Sequence, residues 1–432
     1  MDQSSPDDIQ TQNKSPSNPF LKTLVGGFFN WGIVLVGLMI DRGATALALI
    51  LVAREVHPLE YGQYVACFGL ATLLIVLPSF GMDAWLLTQS RSETNRVTSV
   101  WGKGLRLRVC FLVVWFVGMG FLSIILPPDT YPKDILFLTT LGAAFDSLIL
   151  LSYSAKRATN RHWIVTIIQS LASLLLLLFV LLMPTGLDQI LLFACFRTLL
   201  SAIVALITIG MVGYKHIGNA LTGFSVGAIL KATHPFFWAE FASSIYAKAD
   251  INIIALMIGA VGTAVYGPAL NILQVTFLPS HALFVLMVPT LSAAFVEKRN
   301  SFLRFSKTQF AVQLILGICL SSFLFAFAPL LVSLTFGADY HVSGEILRIL
   351  SPIPLLRSMS FALGAVLASS KLQPQRTKYQ IIVASFNLVA ILIVIIPYGI
   401  LGVAVVYILS ELLLVIGYVT ITYRGLFRVF NL

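Results

Sequence analysis

Twelve long apolar stretches, separated by short polar connections, take up nearly the whole chain. Their limits are 23–53, 62–89, 104–126, 134–154, 163–183, 188–212, 227–257, 262–294, 309–335, 344–369, 379–397 and 400–422. A helix needs about 20 apolar residues to cross a hydrocarbon core of ~30 Å. Membrane-spanning strands would instead show short segments of alternating polarity. The pattern therefore predicts helices, which satisfy their own backbone groups in lipid. Residues 1–20 are polar and rich in Pro and Ser, and read as a disordered cytoplasmic tail. The apolar stretch that follows is too long for a cleaved leader and is expected to remain as a span.

Composition removes the other classes. Of 432 residues 58% are hydrophobic and 11% charged, with a mean hydropathy of +0.92. An ordinary soluble domain carries about 25% charged residues. A soluble globule could not bury this much apolar surface, and a disordered chain would not contain it. The fold class expected is an all-α polytopic membrane protein with twelve transmembrane helices.

The formal charge of +10 then becomes a statement about orientation rather than about nucleic acid, which is not expected as a partner. With the N-terminus on the cytoplasmic side, the inward segments hold 21 of the 28 Lys and Arg residues. The outward segments hold only Arg54 and Lys133, and Arg42, Arg197, Lys248, Arg348 and Arg357 fall inside spans. Both termini are thus expected in the cytoplasm.

Weak echoes divide the chain in two. Tyr61-Gly62 is matched by Tyr266-Gly267, Asp129-Thr130-Tyr131 by Ala338-Asp339-Tyr340, and Pro184-Thr185-Gly186 by Pro397-Tyr398-Gly399, at offsets of 205 to 213 residues. Two six-helix bundles, residues 21–213 and 214–432, are expected around a central cavity, in the manner of an alternating-access transporter.

Charges within the spans are the candidate chemistry, because each costs at least ~2.5–3.5 kcal/mol to insert unless it is paired or hydrated. Asp41 and Arg42 are adjacent in the first span, Arg197 is in the sixth, Glu240, Lys248 and Asp250 are in the seventh, Arg357 is in the tenth and Glu411 in the twelfth. Arg42, Arg197, Lys248 and Arg357 are candidate cavity cations for an anionic substrate, since a guanidinium can donate two parallel hydrogen bonds to phosphate. Asp41, Glu240, Asp250 and Glu411 are candidates for ion coupling or for pairing, including an Arg197–Glu411 pair across the two halves. Lys248 and Asp250, two residues apart, point nearly oppositely, so one faces the cavity and the other a neighbouring helix. Arg348 reads as an interfacial anchor, and Asp83 and Asp146 as partners of inner basic residues. No His, Cys or carboxylate spacing suggests a metal, no phosphate-binding Gly-rich loop is present and no cofactor is expected. The four cysteines read as apolar packers, His281 as a structural histidine, and Pro268 and Pro279 as kinks in the eighth span.

Several motifs point to one family. Ala53, Arg54, Pro58, Glu60, Tyr61, Gly62 and Tyr64 resemble the pattern after the first helix of Wzx-like polysaccharide flippases; Val56 and His57 stand where leucine and glycine are usual. Phe80-Gly81-Met82, Asp250 with Gly259 and Tyr266, and Phe336-Gly337-Ala338-Asp339-Tyr340 resemble later motifs of that family, over residues 20 to 424. The resemblance implies the multidrug/oligosaccharidyl-lipid/polysaccharide exporter superfamily. It also implies a polyprenyl-diphosphate-linked glycan as substrate, membrane lipid around it, a coupling proton or sodium ion, and polymerisation machinery as partner. A drug or cation antiporter of the same superfamily is the alternative. An enzyme is not expected, because the longest outward connection is about nine residues.

Overall fold

Proline, glycine and a few polar caps decide where the apolar stretches start, break and turn. Pro58 occupies the first turn of a helix, where its missing N–H would have no partner anyway. His57 before it caps the helix by accepting from the Leu59 amide at 3.3 Å. Asp188 caps a later helix through the Leu191 amide at 3.0 Å. The computed structural model describes residues 19–88, 94–159, 161–184, 188–213, 226–297, 299–370 and 372–430, and the regular elements there are all helical. The tail expected over residues 1–20 lies almost wholly outside the described residues.

The helices are α1 (Pro19–Glu55), α2 (Pro58–Leu74), α3 (Val76–Ser79), α4 (Met82–Thr88), α5 (Thr94–Ile125), α6 (Lys133–Ala158), α7 (His162–Leu181) and α8 (Gln189–Val212). They continue as α9 (Val226–Met257), α10 (Ala260–Thr276), α11 (Leu278–Glu297), α12 (Arg299–Thr335), α13 (His341–Ile349), α14 (Ile353–Ser369) and α15 (Gln373–Phe430). Among the described residues nine helical runs are long and apolar enough to cross a membrane, or ten if α13 and α14, bent by 47°, count as one. The twelve stretches read from hydropathy include α9, which is not among those runs, and divide α15 in two. That division has a physical counterpart. Gly399, two residues after Pro397, leaves helical geometry at φ 55°, ψ −141°, a conformation that side-chain-bearing residues rarely adopt. The eighth stretch is interrupted between Thr276 and Leu278, with Pro279 in the first turn of α11.

Large apolar side chains face outward along these helices; Ile125 is 81% and Ile396 76% exposed. In water such a surface would aggregate, whereas in lipid it costs nothing. In the first half α1 packs on α7, and α6 on α2, α5 and α8; in the second, α12 packs on α13 and α14, α14 on α11 and α15, and α9 on α15. The halves meet chiefly where α2 lies against α10 and α9.

That seam contains the motif residues. A Cβ at Gly62 would run into the Ala260 carbonyl and Ala264, so only glycine lets α2 and α10 approach this closely. The Thr263 hydroxyl donates to the Gly62 carbonyl at 2.8 Å, and Asn271 donates to the Tyr61 hydroxyl at 2.7 Å. The Tyr61 ring meets Phe336 and Tyr340, each at 6.1 Å between centroids, and Tyr340 donates to the Ala53 carbonyl at 3.1 Å. Tyr61 and Tyr266, the echoed tyrosines, are both fully buried.

Candidate functional site

A cavity of about 440 Å³ opens among α1, α2, α3, α6, α7, α8 and α9. Asp41 and Arg42 reach it from α1, Asp146 from α6, Arg197 from α8, and Glu240 and Lys248 from α9. Glu240, Ser244 and Lys248 are four residues apart and share one helical face, which is why all three line the wall. The six charged groups are three acids and three bases, so the cavity is formally neutral rather than basic.

One ion pair holds two of these groups. Arg197 Nη2 lies 3.3 Å from Asp146 Oδ2, and the Ser201 hydroxyl donates to Asp146 Oδ1 at 2.7 Å. The Arg197 guanidinium lies 4.3 Å from the centre of the Phe68 ring. Lys248 Nζ donates to the Thr72 carbonyl at 2.7 Å and has no carboxylate partner among the described residues. Glu240 Oε2 is buried without a hydrogen-bond partner there. Arg42 forms no ion pair among the described residues and is exposed. Such uncompensated groups in a cleft with low-dielectric walls attract ions of opposite sign.

Three sequence candidates lie elsewhere. Arg357 does not line this cavity. It pairs with Glu411 across 2.5 Å, and Tyr246 donates to the same carboxylate oxygen at 2.8 Å. The rings of Phe277, Phe361 and Tyr246 surround its guanidinium at 5.3, 5.8 and 5.9 Å. Glu411 is fully buried, so the expected Arg197–Glu411 pair is replaced by two separate pairs, one within each half. The reason is rotation: α8 turns Arg197 toward α6, while α15 turns Glu411 toward α14 and α9. Asp250 is buried away from this cavity and accepts from the Tyr266 hydroxyl at 3.1 Å and the Ile251 amide at 2.8 Å.

Two residues were undervalued in sequence. Asp146 is the partner of a cavity arginine rather than of an inner basic residue. Arg108, counted with the inward loops, is completely buried on α5. It pairs with Asp83 at 3.0 Å and donates to the carbonyls of Ser147 at 2.7 Å and Ser79 at 2.8 Å. Its position four residues inside the apolar stretch 104–126 was the available signal. Arg348 stacks over Phe325 at 4.7 Å. Among the described residues no group of three or more His, Cys, Asp or Glu could hold a metal.

Comparison with known proteins places this geometry. No curated protein matches the chain at a significant level. Among solved structures, an inward-facing MATE-family multidrug transporter of the MOP superfamily is 16% identical, with a TM-score of 0.73 over 92% of this chain and 98% of that one. The MATE multidrug transporter DinF-BH, solved as a ligand complex, is 18% identical, with a TM-score of 0.68 over 96% and 98%. A MOP-superfamily transporter from Pyrococcus furiosus, described as having a binding pocket of reverse polarity, is 16% identical, with a TM-score of 0.64 over 92% and 95%. Identities this low speak to the fold alone, which is that of transporters rather than enzymes. A family described as polysaccharide biosynthesis protein matches residues 29–295, more than half of the sequence. The chain therefore belongs to the polysaccharide biosynthesis protein family and carries the all-helical fold of MOP-superfamily membrane transporters.

Proposed function

We propose that this protein flips polyprenyl-diphosphate-linked oligosaccharide units across the bacterial cytoplasmic membrane by alternating access. Arg42, Arg197 and Lys248 receive the diphosphate headgroup, and the lipid tail stays in the bilayer. The observation that carries this reading is the convergence of three cations from α1, α8 and α9 on one 440 Å³ cavity in a member of this family. That volume lies within the ~300–1,000 Å³ usual for small-molecule sites. Counting α9 once, α13 with α14 once and α15 twice gives twelve spans, in halves 21–213 and 214–432 about the cavity. The end rich in Lys and Arg and both termini face the cytoplasm, following the positive-inside rule. The packed seam at the end poor in Lys and Arg supports an inward-facing state. Asp41, Glu240 and Asp250 are the acids available to couple transport to a proton or sodium ion, Arg357–Glu411 is a structural pair, and polymerisation machinery receives the product.

Flipping of a prenyl-diphosphate-linked sugar in proteoliposomes tests this. A hydrogen bond to a charged group is worth about 1.5–3 kcal/mol, and about 1.4 kcal/mol is tenfold. Arg42→Gln, Arg197→Gln and Lys248→Met should therefore each lower the rate about tenfold or more; undiminished flipping by all three removes the cavity-cation reading. The second reading, a multidrug antiporter, draws support from Asp41, Asp146 and Glu240 on the same wall. Saturable, ion-driven efflux of a cationic dye, without flipping of the glycolipid, would establish it instead.

A further inference from the structure

One ion pair between membrane helices in the first half has a counterpart in the second, and the signs are exchanged between them. In the first half the acid Asp146 is on α6 and the base Arg197 on α8; in the second the base Arg357 is on α14 and the acid Glu411 on α15. Asp146 and Arg357 are 211 residues apart and Arg197 and Glu411 are 214 apart, the spacing that also separates Pro184 from Pro397 (213). The two pairs thus occupy equivalent places with their charges swapped.

Their surroundings differ in a way that bears on use. Glu411 is completely buried and takes both Arg357 and Tyr246 on one oxygen; Arg357 is 23% exposed, has aromatic rings around it and lies outside the cavity. The Arg197–Asp146 contact is longer at 3.3 Å, its side chains are 19% and 34% exposed, and both line the cavity. Like the Arg357–Glu411 pair, it uses a single nitrogen–oxygen contact, although a guanidinium and a carboxylate can make two. Each member also has a second partner that would stay behind if the pair opened, Ser201 for Asp146 and the Phe68 ring for Arg197.

We infer that Asp146 is an internal competitor for Arg197. A diphosphate headgroup displaces the Asp146 carboxylate from the guanidinium, and Asp146 reclaims Arg197 when the headgroup leaves. The empty cavity then never holds an unpaired Arg197, which would be costly in a low-dielectric site, and the loaded cavity can still release its cargo. Asp146 acts through Arg197, as a positioning residue that sets how tightly the anion is held. This inference rests on the reading of the cavity as a diphosphate site.

The full-length protein in lipid nanodiscs is titrated calorimetrically with inorganic pyrophosphate and, separately, with farnesyl diphosphate. Asp146→Asn keeps side-chain shape and the Ser201 hydrogen bond but removes the competing charge. It should bind farnesyl diphosphate about tenfold more tightly than the unaltered protein, with pyrophosphate following the same order if the headgroup alone supplies recognition. Arg197→Gln should bind more weakly, and the double variant should bind no more tightly than Arg197→Gln alone, because the two groups act on one interaction. Asp146→Ala serves if the Asn variant does not fold. Equal or weaker binding by Asp146→Asn, where the unaltered protein binds and Arg197→Gln loses binding, overturns the inference but leaves the cavity reading standing. A gain that persists without Arg197 overturns it as well. No saturable binding of either ligand by the unaltered protein or Asp146→Asn overturns the cavity reading, and this inference with it.

Discussion

Charged residues inside this protein fall into two kinds, separated by what surrounds them. Arg108 and Glu411 are completely buried among helices, and Arg357, 23% exposed, pairs with Glu411 away from the cavity, whereas Asp41, Arg42, Asp146, Arg197, Glu240 and Lys248 border open volume. For sealed groups the loss of hydration outweighs other effects, so removing one partner strands the other. Arg108→Ala leaves Asp83 without its cation and two backbone carbonyls without their donor, which should cost about 3–5 kcal/mol. A thermal melt of the purified protein should show a large drop. The paired change Arg108→Met with Asp83→Leu should recover most of it, because no charge is then left buried; a melt unchanged by Arg108→Ala would show that the pair contributes little. Hydropathy marked most of these residues as unusual, but it could not say which were sealed. Arg108 and Lys103 read alike in sequence, yet one is fully buried with three partners and the other sits one turn nearer the charge-rich end.

Within single helices, the informative positions are those where regular geometry stops. Phe80 adopts a left-handed conformation at φ 44° before Gly81, a cost of roughly 1–2 kcal/mol. Its ring stacks on Phe237 of α9 at 4.6 Å and meets Phe111 edge-on, contacts that hold it there. At Gly399 no such ring contact is needed, because glycine accepts the conformation freely. Gly399→Ala should lower stability by about 1–3 kcal/mol, read as a lowered melting temperature, and a neutral result would mean that the kink relaxes. At the seam, Gly62→Leu must push α2 away from the Ala260 carbonyl. Overpacking of this kind costs about 1–3 kcal/mol; since it acts on one conformation of the halves, flipping should fall by about tenfold or more while the folded protein still accumulates. Apolar stretches located these helices; of the two kinks expected in the eighth, the break falls beside Pro279 while Pro268 stays within α10, and the gap between stretches 379–397 and 400–422 contains Gly399. What hydropathy could not reveal was that Tyr61, Gly62, Phe336 and Tyr340, distant in the chain, meet in one seam and serve packing there.

Across the whole molecule the asymmetry of positive charge is the largest single signal, with 21 of the 28 basic residues in the segments that the twelve-span pattern assigns to one side and two in those it assigns to the other. A cysteine introduced at Lys133 should react with a membrane-impermeant maleimide in intact cells, and one at Arg161 only after permeabilisation. The reverse pattern would invert the orientation. Membrane class and helical fold were legible because each is a sum of local transfer free energies: a span enters lipid on its own composition. The transporter family was legible too, because its motifs lie at helix ends that sequence spacing preserves. Which charges share a cavity was not a local matter. It depends on the rotation of each helix about its axis and on which helices lie side by side. That packing joined Arg197 to Asp146, joined Arg357 to Glu411, and left Arg42 and Lys248 facing open volume. The charges themselves were written in the chain; their partners were set by the neighbours that tertiary packing brought to each face.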